Sequence, residues 1–100
     1  MIARVATFEG GDAEEMRRLN NEMLVERGST ALPPGISRVM VLMKDESSWS
    51  VISFFDSEEA AAASEERFEQ QMGDEIPESV RGKRIGVESY EVAFDVEMIR

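Results

Sequence analysis

The chain has 100 residues, is 42% hydrophobic and carries a formal net charge of −10. That is one domain, residues 1–100, with enough apolar content for a core, and its acidity argues against nucleic acid and anionic membranes as partners. With no Cys and no His, disulfides, thiolate chemistry, and the commonest general base and haem or zinc ligand are excluded, and no metal or cofactor is expected.

The first expected element is a β-rich strand at Ile2 to Phe8, followed by a turn at Gly10 and Gly11. Asp12 with Glu15 three residues on makes a capping box. Met16, Leu19, Met23 and Leu24 then fall at helical spacing, Glu14 and Arg18 can pair on the outer face, and Gly28 stops a helix over Ala13 to Arg27. Pro33 and Pro34 make STALPPG a loop. A strand at Ile36 to Lys44, apolar on both faces in its VMVLM core, turns through Asp45 to Ser48 into a strand at Trp49 to Phe55. The short connection makes this pair an antiparallel hairpin.

Asp56 is placed to cap a second helix over Ser57 to Met72, whose inner stripe is Ala60, Ala61, Ser64, Phe68 and Met72. Residues 74–86 read as irregular, with one short helical turn. The last strand is expected over Val87 to Ile99, because Tyr90, Val92, Phe94, Val96 and Met98 alternate with polar or small residues. The resulting order, β-α-β-β-α-β, is the ferredoxin-like α+β arrangement: a four-stranded antiparallel sheet with both helices on one face. An open face that met water would be polar, yet the middle strands are apolar on both sides. A second copy covering that face, in a homodimer, is the economical expectation.

Four segments resemble the antibiotic-biosynthesis-monooxygenase-like domains of the dimeric α+β barrel superfamily. They are the opening strand MIARVATF, the loop and strand LPPGISRVMVL, the junction SFFDSEEAAAA and the closing YEVAFDV. The resemblance implies a homodimer with facing sheets and a pocket between sheet and helices in each subunit. It implies small aromatic or polyketide-like substrates, oxidised by oxygen without an added cofactor. The chain departs from the pattern at Phe55, where many members carry Trp, and in lacking the helix-two His of haem-degrading members. Haem degradation is therefore not expected.

Each candidate site residue has a functional and a packing alternative. Tyr90 orients a phenol or moves a proton, or is a buried tyrosine with a satisfied hydroxyl. Asn20, bordering the inner stripe of the first helix, turns its amide to the pocket or simply meets water. These two are the catalytic candidates. Trp49 stacks on a flat substrate or packs at a strand end or dimer interface. Arg38 and Arg4 face a substrate oxyanion or a neighbouring carboxylate. Phe55 and Phe68 would line the substrate space. Arg81, Lys83 and Arg84, the basic cluster, hold an anionic ligand or are a solvated loop. Three functions follow: a cofactor-independent monooxygenase, a non-catalytic ligand-binding domain, and a structural dimerisation module. No run of about 18 apolar residues exists and the N-terminus has no signal-peptide pattern, so a cytoplasmic location is expected.

Overall fold

The computed structural model describes residues 1–22, 35–63 and 76–98. Four strands form one antiparallel sheet: β1 (Ile2–Glu9), β2 (Ile36–Met43), β3 (Ser48–Phe55) and β4 (Lys83–Glu91), in the order β2-β3-β1-β4. Between them lie α1 (Ala13–Asn20), α2 (helical over 58–63 within the described residues) and a single turn, α3 (Glu78–Arg81). This is the ferredoxin-like order read from the sequence.

Local chemistry sets the element ends. Asp12 caps α1 by accepting the Glu15 amide at 3.2 Å. The charge pairing differs from the expected Glu14–Arg18: Arg18 instead meets Glu15 at 3.0 Å and Glu22 at 3.4 Å, both exposed contacts. In the β2–β3 turn Asp45 accepts the Ser47 amide at 2.9 Å, an Asx turn that holds its carboxyl below the usual range. The expected Asp56 cap is displaced by one residue, since Ser57 Oγ accepts the Ala60 amide at 3.1 Å. The residues expected to continue the two helices past Glu22 and Ala63, Phe68 among them, lie outside the described residues.

The sheet has two unlike faces. On one, Ala6 and Phe8 of β1 and Trp49 and Val51 of β3 join Ala13, Met16 and Ile76 in the buried core. Trp49 lies so close to Gly11 that a Cβ there would overlap its ring. Gly82, at φ 83°, backs onto the Glu9 carbonyl where α3 enters β4, an approach only glycine permits. On the other face, Phe54, Ile52 and Ser50 sit opposite Ala3, Val5 and Thr7. No described element covers them.

The largest departure from expectation is the last strand. It begins at Lys83, inside the segment read as irregular, and ends at Glu91. Pairing decides this, not alternation. Among the described residues β4 pairs with β1 alone, and Ile2 is already opposite Glu91. Beyond Val92, whose N–H donates to the Met1 carbonyl at 2.9 Å, β1 has run out.

Candidate functional site

Register places a polar row across the helix-covered face. Arg4 stands between Ser53 of β3 and Ser89 of β4, and Ser53 is opposite Val39. Arg4 is 4% exposed and Ser53 0%, so a cation and a hydroxyl are buried in an otherwise apolar layer. Next to them on the same face lies the row Val41, Val51, Ala6 and Val87 on one side, and Ile2 with the fully buried Phe55 on the other.

The helix contributes a third polar group. α1 starts after β1 ends, so it runs back along the sheet. From Ala13 to Asn20 it travels about 10 Å, the length of some three strand residues, which in a helix aligned with the strands carries Asn20 toward the Arg4 end of the sheet. Asn20 follows the buried Met16 by one helical turn, and Leu19 beside it packs on the core. Asn20 Oδ1 and Ser53 Oγ are both buried with no hydrogen-bond partner. Unsatisfied buried polar atoms are costly, and in native proteins they call for an explanation.

The expected meeting of Tyr90 and Asn20 does not occur. Tyr90 pairs with Ala3, in phase with the open face, and is 51% exposed. Its hydroxyl donates to Glu88 two residues before it on the same strand. That hydrogen bond, and then the Glu88 charge, raise the tyrosine pKa above its ordinary value. Arg38 is likewise not the buried charge expected: it is exposed, opposite Phe54 on the open face. Trp49 and Phe55 are both buried on the helix-covered face, but six residues apart on β3, about 20 Å. They cannot hold one small ligand between them. Trp49 Nε1 also has no partner, within the core next to α1 and α3. The concavity of about 280 Å³ lined by Val5, Thr7, Ile85, Gly86 and Glu88 is on the open face, not between sheet and helix. Of the basic cluster, Lys83 and Arg84 are exposed in β4, and Arg81 lies 5.9 Å over the Phe8 ring.

Of the site residues read from the sequence, Phe55 lies beside the polar row, two residues from Ser53 on the same face of β3. Ser53 was missed. The signal was present: Ser53 falls in phase with Trp49, Val51 and Phe55, a polar residue on the inward side of a strand otherwise apolar there. Among the described residues there is no group of three or more acidic, His or Cys side chains placed to hold a metal, and no helix is long and apolar enough to cross a membrane.

The fold is that of a ferredoxin-like α+β domain, a four-stranded antiparallel sheet with helices between its strands. A solved structure with this fold is a mutant of MhuD with two manganese protoporphyrin IX molecules bound per active site. It is similar over 98% of this chain and 100% of that one, at a TM-score of 0.60 and 18% identity, a likeness of fold. No protein-family model matches the chain, and no curated protein matches it.

Proposed function

We propose that the chain is a homodimeric small-molecule-binding domain of the antibiotic-biosynthesis-monooxygenase-like type. Its ligand is flat and hydrophobic, with an acidic hydroxyl or carboxylate. The ligand sits between α1 and the sheet, its oxygen end at Arg4, Ser53 and Asn20 and its apolar body against Phe55 and the valine row. The observation that carries this reading is the unpartnered Ser53 Oγ opposite a buried arginine, with the unpartnered Asn20 Oδ1 on the helix that packs on the same face. A hydroxyl and a guanidinium donate to an anion, and an amide carbonyl accepts from the ligand's own O–H. Burial strengthens each of these contacts. Desolvation by itself favours a neutral phenol, while the Arg4 charge and the Ser53 donor favour the anion.

The MhuD structure lends support, because its ligand is a flat apolar macrocycle with carboxylates. Iron porphyrin itself does not fit the residues present. The chain has neither His nor Cys, its one Tyr is on the opposite sheet face, and Met16 is packed in the core. The second half of the proposal is the dimer. Met40, Leu42, Ile52, Phe54, Val5 and Tyr90 share the open face, and two such faces packed together remove them from water.

A titration with hydroxynaphthoate, a flat aromatic acid, tests the site through the fluorescence of Trp49, the one tryptophan. Saturable binding is expected, weakened at least tenfold in Arg4→Met and severalfold in Ser53→Ala. Equal affinity in both variants and wild type, or no saturable binding at millimolar probe, contradicts the proposal.

A further inference from the structure

Nothing in the protomer's backbone requires the glycine at position 86. Gly86 lies inside β4, where glycine weakens a strand. Its φ is not in the left-handed region, and a Cβ built on it would meet nothing within 4 Å. Neither a turn nor a close approach within the protomer accounts for it. Glycine in a strand often marks a place where a ligand comes close to the backbone, and here the space above it is open.

That space has walls. Thr7 pairs with Gly86 and Val5 with Glu88, all on the open face. The register shifts between Thr7 and Phe8: their partners are Gly86 and Arg84, so Ile85 is left over as a bulge. Ile85, half exposed, completes the concavity of about 280 Å³ that it lines with Val5, Thr7, Gly86 and Glu88. Glu88 is the charged group among these five. The Tyr90 hydroxyl donates to its Oε2 and so holds the carboxylate in place, while the other oxygen keeps its capacity to accept. The Thr7 hydroxyl lies 3.4 Å from that of Ser50 and also has lone pairs to offer. Arg38, the cation in phase with this face, is on β2, three strand spacings or about 14 Å from β4.

We propose that this concavity is a second binding site, for a small primary amine in its ammonium form, on the face of the sheet opposite the Arg4 site. The ammonium donates to the Glu88 carboxylate and to Thr7 Oγ1, and the apolar body of the amine lies over Gly86 against Val5 and Ile85. Hydrogen bonds between an ammonium and a carboxylate are the stronger kind, and a chain of net charge −10 draws cations to its surface. A metal ion fits less well, because it needs several oxygen ligands and the concavity offers one carboxylate. The site is built by one protomer and does not rest on the homodimer proposed above, in which it would open on the space between the sheets.

Calorimetric titration with phenethylamine, charged at neutral pH, tests the site, with phenylpropionate as a probe of similar size and opposite charge. Saturable binding of the amine at millimolar concentration, and none of the acid, is expected. Glu88→Gln should weaken amine binding at least tenfold. Gly86→Val should abolish it by filling the space, while stability in urea is kept or raised, because valine suits a strand better than glycine. Binding of the acid as tightly as the amine, or amine binding unchanged in either variant, overturns the proposal, and so does a marked loss of stability in Gly86→Val. Failure of the wild type to bind overturns it as well; if Gly86→Val then weakens self-association in sedimentation, the space belongs to a second copy of the chain.

Discussion

Each face of the sheet carries side chains that do not suit its surroundings. The helix-covered face takes the alternate residues of β3, Trp49, Val51, Ser53 and Phe55, all buried, and with them come a buried arginine and hydroxyl. The open face takes the other set and leaves Leu42 and Tyr90 about half exposed. Two polar groups lie within an apolar layer on one face, and apolar side chains lie in water on the other, on the same four strands. Buried polar atoms without partners point to a missing ligand, and exposed apolar strands to a missing chain. On the proposed reading, one protomer is an incomplete unit on both sides, for different reasons.

The sharpest way to break this contrast is to delete the same ring from each face. Phe55→Ala removes a fully buried side chain and should cost about 3–5 kcal/mol, much of a small domain's stability, in urea unfolding. Phe54→Ala, its neighbour on the other face, should lower protomer stability far less and act mainly on association. Equal losses in both would erase the distinction between the faces. Next in size, Ile52→Asp places a charge at the centre of the open face. A dimer buried there should weaken at least a hundredfold, about 2.7 kcal/mol, in sedimentation. Unchanged association would place the interface elsewhere.

A smaller effect sharpens the helix side. Ser53 Oγ is buried and unpartnered, so Ser53→Ala removes a desolvation cost and should stabilise the ligand-free protein by about 1 kcal/mol, while weakening ligand binding. A loss of stability instead would mean that the hydroxyl is a structural contact. The least effect belongs to Tyr90. Its neutral hydroxyl is favoured by Glu88, so its folded pKa is raised. The matching contribution to stability is fully present below the ordinary value of about 10 and is lost as pH rises through the folded value. Ultraviolet titration of this single tyrosine should show a raised midpoint, returning toward the ordinary one in Glu88→Gln; identical midpoints would contradict the contact.

Much of the fold was legible because it depends on local signals. The Asp12 cap, the alternation in Trp49 to Phe55 and the polar turn at Asp45 are each read within a few residues. Register is not local. Nothing within YEVAFDV says that β1 ends beside Glu91, so the strand expected at Val87 to Ile99 begins four residues earlier, at Lys83, and ends eight residues earlier, at Glu91. KRIG, rich in charge and glycine, reads as a loop until β1 supplies its hydrogen bonds. The same blindness put Tyr90 with the helices: an apolar phase on one strand does not reveal which face of the sheet it joins. Asn20 was legible as a helix boundary residue, and Ser53 was legible only once the phase of Val51 and Phe55 had been assigned to the buried side.

Sedimentation equilibrium of the wild-type chain at micromolar concentration tests the central claim, that the protomer is half of a unit, most directly. The account predicts a single species of twice the 11.2 kDa chain mass. A stable species at the mass of one chain would contradict it.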